Sequence, residues 1–254
     1  MLTIAFNPAH TRASLRFEEA HGNLITADLV RQLSQAVADL SEDRRLKLVT
    51  LEGIGEDFSL GASVPEHRAG EIEHVLPAFH ALIHDWLALP MPTGAVVRGR
   101  CLGGGFELVL ACDCVFAADS AEMGLPEIRL GVFPPVGSVL LPLRVGASRA
   151  ASAVLTGESR SSEFWRQCGL VEFIAPVGAL ADAIDGWFDD LLAPKSAAAL
   201  RHAVEAVRGP VRDLAARELP KIEQLYLTEL MRTDDASEGI AAFLEKRPPV
   251  WKDR

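Results

Sequence analysis

Apolar positions along the chain follow two rhythms. Short alternating or β-branched runs at residues 13–17, 46–51, 95–97, 114–117 and 171–174 predict strands. Between them, apolar residues recur at helical spacing: Leu29, Leu33, Val37 and Leu40 mark one face, and Phe79, Leu82, Ile83 and Trp86 another. Pro77 is expected in the first turn of the second helix, because an interior proline costs about 3 kcal/mol. The alternation is that of an α/β protein. After Pro194 the strand signals stop and the pattern reads as helices: residues 196–207, a face of Ile222, Leu225, Glu229 and Leu230, and residues 236–246. Asp235 with Glu238 three residues on resembles a capping box for the last of these. The expected organisation is therefore a core over residues 1–195 carrying the active site, and a helical region over 196–254.

Composition narrows the class. With 254 residues, 49% of them hydrophobic, the chain can bury a substantial core. A formal charge of −10 without a Lys/Arg-rich run removes nucleic acid and anionic membrane as expected partners. No basic segment leads into an apolar run at the N-terminus, and no stretch of about 18 apolar residues occurs, so a cytoplasmic location is expected. Cys101, Cys112, Cys114 and Cys168 lack zinc-ligand spacing and are too sparse for a disulfide scaffold; reduced thiols are expected, buried ones at Cys112 and Cys114. His80 and His84 stand four apart on a helix without a third ligand, so no metal site is expected.

The chemistry concentrates in three segments. In Arg98–Leu110 a strand passes through Gly103, Gly104 and Gly105 into an apolar helix with one early acid, Glu107. Glycines there let a ligand approach backbone N–H groups, which at a helix start have no intrahelical partner and lie at the positive end of the dipole. Such groups can stabilise an oxyanion. The spacing is neither that of a dinucleotide fingerprint nor that of a phosphate loop. Phe58–His67, containing Gly61, Ala62, Ser63, Val64 and His67, supplies a second small-residue loop after a strand. Met123–Val132 sets Glu127 directly behind Pro126. Singly, Glu107 reads equally as a helix-dipole acid and Glu127 as a turn residue.

Taken in order, FSxGA, GGGxE and GxPExxLG resemble the enoyl-CoA hydratase/isomerase (crotonase) family. That resemblance implies a spiral of ββα units followed by a C-terminal helical region that mediates trimers, often paired into hexamers. It implies an acyl-CoA thioester as substrate, with coenzyme A part of that substrate and no separate cofactor. The implied oxyanion hole is the N–H of Ala62 and of Gly104, and Glu107 and Glu127 are the implied carboxylate pair. Gly61, Ser63, Val64, His67, Gly103 and Pro126 are expected around the substrate. Lys252, beside Trp251, resembles an aromatic–lysine pair that touches coenzyme A in some members. Two neighbouring carboxyls resist ionising together, so one can hold a proton while the other takes one from water.

Where the family usually continues with a glycine-rich stretch after its second glutamate, this chain has Phe133-Pro134-Pro135-Val136-Gly137, so a different pocket wall is expected. Together with Gly61–His67 and Phe243–Arg247, this makes the chain similar to cyclohexa-1,5-diene-1-carbonyl-CoA hydratases. The implied reaction is 1,4-addition of water, giving a 6-hydroxycyclohex-1-ene-1-carbonyl thioester in anaerobic benzoyl-CoA breakdown. Ordinary 2-enoyl-CoA hydration or double-bond isomerisation is the alternative within the family, and a non-catalytic acyl-CoA-binding protein the alternative of another class.

Overall fold

The computed structural model describes residues 1–67 and 70–254; the side chain of His67, and with it the contact expected of that residue, lies outside the described part. The main sheet has six strands in the order β1 (Leu2–Phe6), β2 (Arg12–Phe17), β3 (Leu48–Gly53), β4 (Thr93–Val97), β6 (Cys114–Ala118) and β9 (Phe173–Ala175). All its pairings are parallel except β1 with β2. β2 buries Ala13, Leu15 and Phe17 from alternate positions, whereas β3 is buried along its whole length, as a strand covered on both faces must be. β1 was not anticipated from the sequence. It is an edge strand whose residues remain largely exposed, so it lacks a strong burial pattern.

A second sheet contains β5 (Arg100–Leu102), β7 (Glu122–Gly124) and β8 (Arg160–Ser161). Parallel bridges Ser59–Cys101 and Ile25–Ala62 extend this layer. Each turn of chain thus leaves one segment in each layer before a helix: β3 and the Ser59–Ala62 loop precede α3 (Ile72–Ala88), and β4 and β5 precede α4 (Gly104–Leu110). This is the spiral expected of the family. The remaining helices are α1 (Ala20–Asn23), α2 (Ala27–Ser41), α5 (Pro135–Val145), α6 (Ala147–Thr156), α7 (Ser162–Gln167), α8 (Leu180–Leu191), α9 (Ala197–Thr228) and α10 (Asp234–Leu244). None among the described residues is long and apolar enough to cross a membrane.

Three local expectations need correction. Pro77 lies inside α3, not in its first turn. The helix begins earlier because Ile72 and Leu76 are themselves buried, and their packing outweighs the hydrogen bond that proline forfeits. The helices expected at 196–207 and around 222–230 are one, α9, which continues through Pro210 and Pro220. Its Ala215 and Leu219 join the main apolar cluster, and buried Arg208 donates to the carbonyls of Leu89 (2.6 Å) and Met91 (3.0 Å) while pairing with Asp113. The cap of α10 is Thr233, whose hydroxyl accepts from Ala236 N–H, and not Asp235. Asp235 instead accepts the N–H groups of Lys252 (2.7 Å) and Asp253 (2.8 Å), holding the C-terminal tail.

Candidate active site

The loop from β5 into α4 makes its turn at Gly103, with φ 50° and ψ −128°, a conformation that residues with a Cβ avoid. The neighbourhood makes the same demand: a Cβ on Gly103 would stand 2.8 Å from Glu127 Oε1, and one on Gly105 would stand 2.5 Å from Ser59 Cβ. Small residues therefore let the two loops and the second carboxyl converge. Gly104 opens α4, so its N–H has no intrahelical acceptor. The Ile25–Ala62 bridge is made by Gly61 O and Ser63 N–H, which leaves Ala62 N–H outside the pairing. Among the described residues neither N–H has a hydrogen-bond partner. The two segments lie side by side, since a Cβ on Gly104 would be 3.5 Å from the nitrogen of Ala62.

Glu107 is 4% exposed on a helix all of whose residues are buried. Burial raises its pKa to about 7, and this rise is opposed by Gly137 N–H, which donates to Oε1 at 2.8 Å from the start of α5, and by Val136 N–H. Glu127 sits in the short 3₁₀ turn Pro126–Leu130 and has Oε2 sealed from solvent without a partner. Burial first, and the Glu107 charge second, push its pKa well above the ordinary carboxyl value. The surroundings differ: Glu107 has two backbone donors from a helix start to favour its anion, whereas Glu127 has only its own backbone N–H and has the anion of Glu107 to oppose its own. Both carboxyls are pushed toward the protonated form, Glu127 with the added opposition of the Glu107 charge.

These groups line a cavity of about 360 Å³. Of the residues expected around a substrate, Gly61, Ala62, Val64, Gly103, Gly104, Pro126, Glu107 and Glu127 all line it. Ser63 is buried beside it, with its N–H donating to Ile25 O. Lys252 does not line the cavity: it is exposed on the tail, 3.4 Å from Asp234 through Nζ. No cluster of three metal-ligating side chains occurs among the described residues.

The rest of the wall escaped the sequence reading. Ile72, Leu76 and Phe79 come from α3, Tyr226 from α9, and Ile240 and Phe243 from α10. Phe133, from the Phe-Pro-Pro segment already expected to alter the wall, meets Tyr226 edge to face, ring centres 5.4 Å apart. Tyr226 is held by its helix. One turn before it, Glu223 bonds Nδ1 of buried His80 on α3 at 2.7 Å. Helical spacing gave no warning of these residues, because a cavity-lining apolar side chain and a core one have the same periodicity.

Comparison with known proteins agrees with this geometry. The profile of the family described as "Enoyl-CoA hydratase/isomerase" matches residues 11–254. The chain is 39% identical over 240 residues to a cyclohexa-1,5-dienecarbonyl-CoA hydratase from Thauera aromatica, covering 94% of this chain and 92% of that one. It is 32% identical over 248 residues to the mitochondrial methylglutaconyl-CoA hydratase of Homo sapiens, covering 94% and 73% respectively. A crystal structure of an enoyl-CoA hydratase from Mycobacterium avium superposes with a TM-score of 0.85 at 30% identity, covering 98% of this chain and 97% of that one. The chain belongs to the enoyl-CoA hydratase/isomerase (crotonase) family, as a hydratase.

Proposed function

We propose that the chain adds water to cyclohexa-1,5-diene-1-carbonyl-CoA to give 6-hydroxycyclohex-1-ene-1-carbonyl-CoA. The observation that carries this reading is the 39% identity to the Thauera aromatica hydratase over nearly the full length of both chains. The Phe133–Tyr226 pair, which presents two aromatic rings to a cyclic acyl group, supports it.

The thioester oxygen lies between the N–H groups of Ala62 and Gly104. Water gives a proton to the Glu107 carboxylate as its oxygen bonds to the β-carbon of the ring. The displaced electron pair moves into a dienolate, whose charge on the thioester oxygen two fixed donors stabilise by several kcal/mol in a site that excludes water. The carboxyl of Glu127 then delivers its proton to the far end of the diene, which fixes the addition as 1,4. The backbone donors on Glu107 and the stronger upward push on the Glu127 carboxyl support this division of roles. No cofactor is required, since coenzyme A enters and leaves as part of the thioester.

Purified protein incubated in parallel with the cyclic dienoyl-CoA and with crotonyl-CoA, followed by mass spectrometry, tests the reading. Gain of one water mainly on the diene is the expected outcome. Gain mainly on crotonyl-CoA returns the chain to the ordinary 2-enoyl-CoA hydratases, such as those in the same family at 32% identity.

A further inference from the structure

Tyr226 is the only tyrosine of the chain. It is 2% exposed, yet it lines the same cavity as the two glutamates. Its ring is fixed by packing, edge to face on Phe133 and within a small cluster that includes Ile72, Leu76 and Val132. Its hydroxyl has no hydrogen-bond partner among the described residues. A buried phenol in this position ordinarily finds an acceptor.

The acceptor follows from an inventory of the site. A water molecule attacking the β-carbon has two O–H bonds and two lone pairs. One O–H must face the base, Glu107, and one lone pair must face the carbon. The remaining lone pair needs a donor; ionised Glu107 can only accept, and in the proposed 1,4-addition the proton of Glu127 is directed at the far end of the diene. Of the backbone donors at the cavity, Gly137 and Val136 N–H are on Glu107, Gly103 N–H is on Gly124 O, and those of Ala62 and Gly104 are taken by the thioester in the proposed reaction. Pro134 and Pro135, at the adjoining start of α5, have no N–H to offer. Apart from the carboxyls and Arg129, which is only partly buried, the only polar side chain of the cavity wall among the described residues is Tyr226.

We infer that the Tyr226 hydroxyl donates a hydrogen bond to the oxygen being transferred, orienting the water during hydration and holding the β-hydroxyl of the product. The phenol keeps its proton for this purpose, because burial and the neighbouring carboxylates push its pKa upward. The inference rests on the hydratase chemistry proposed for this site, but not on which acyl group the thioester carries.

Two measurements test it. Tyr226→Phe keeps the ring on Phe133 and removes only the donor. On whichever thioester the wild-type protein hydrates, kcat should fall about tenfold with KM within about twofold, as loss of one neutral hydrogen bond implies. A kcat within about twofold of wild type would overturn the inference. Growth on 3-fluorotyrosine places fluorine at this position alone, with the packing of the native ring. Its resonance should shift on adding 3-hydroxybutyryl-CoA and shift much less with butyryl-CoA; equal shifts would overturn the inference even if the Phe variant folds poorly. If the wild-type protein hydrates neither thioester, the hydratase chemistry fails, while the fluorine comparison still decides whether Tyr226 contacts a β-oxygen.

Discussion

On one side of the cavity stand Ala62, Gly103 and Gly104, with Glu107 behind them on a helix that is buried on every side. On the other stand Leu76 from α3 and Tyr226, Ile240 and Phe243 from the distant C-terminal helices α9 and α10. The first wall acts through backbone N–H groups and glycine conformations, and it is continuous with the main core. The second acts through side chains and belongs partly to a separate small cluster of Ile72, Leu76, Val132, Tyr226 and Ala236. The contrast teaches where the site tolerates change. A wall of backbone set by positive φ and close approach has no slack at the level of one methyl group, whereas a wall of apolar side chains can repack.

The carboxyls, which lie between the walls, should give the largest effect. Glu107→Gln and Glu127→Gln each remove an acid–base group while keeping its shape, so kcat should fall roughly 10²–10⁴-fold with the fold intact by circular dichroism. Unchanged turnover in both variants would dismiss the two-carboxyl chemistry. Next comes Gly103→Ala, whose new methyl would collide with Glu127 Oε1 at a backbone conformation that already excludes a Cβ. It should lower kcat about 10²-fold through displacement of that carboxyl and cost about 1–3 kcal/mol of stability in denaturant unfolding. A fully active Gly103→Ala would break the claim that this wall has no slack.

The raised pKa of Glu107 has consequences for both rate and stability. As the proposed base it must be ionised, so kcat/KM should fall as pH drops below about 7. Its pKa is higher folded than unfolded, so the folded state binds more protons over that interval. The associated stability is complete below the unfolded value of 4.5 and is lost as pH rises toward about 7. Glu107→Gln removes that loss, on the order of 3 kcal/mol. Its melting temperature should exceed that of wild type at pH 8, with the gap closing near pH 5, and a gap independent of pH would contradict the assignment.

The opposite wall should respond more gently. Phe243 is 53% exposed at the cavity, and Phe243→Ala should change KM by about 2–5-fold and alter acyl preference more than kcat. The smallest effect is expected from Lys252→Ala, which breaks only an exposed pair with Asp234 and should leave KM within about twofold. A tenfold rise would instead place Lys252 on the coenzyme A phosphates, as the sequence resemblance implied.

Much of the first wall was legible before the fold was seen. Glycine-rich turns ahead of an apolar helix, with Glu107 early in that helix and Glu127 behind Pro126, are local features, and local chemistry is written in consecutive residues. The strands β2, β3, β4, β6 and β9 were legible for the same reason, because burial on a sheet imposes a short-range pattern. The edge strand β1 was not, since its exposed positions carry little pattern. The long helix α9 was misread as two because Pro210 and Pro220 are unfavourable locally, and only the packing of Arg208, Ala215 and Leu219 against the core carries the helix through them.

The sequence by itself thus determined the α/β alternation, and its resemblance to the family implied the spiral, two backbone donors and two glutamates, which the structure brings to one cavity. The tertiary structure alone decided how the surroundings of the two carboxyls differ, because that depends on Gly137 N–H reaching Glu107 and on the enclosure of Glu127 Oε2, neither of which any spacing encodes. It alone also brought Tyr226 to the carboxyls from more than a third of the chain away. Contacts between distant segments arise from the packing of whole helices, and a single residue carries no mark of the partner that packing will bring to it.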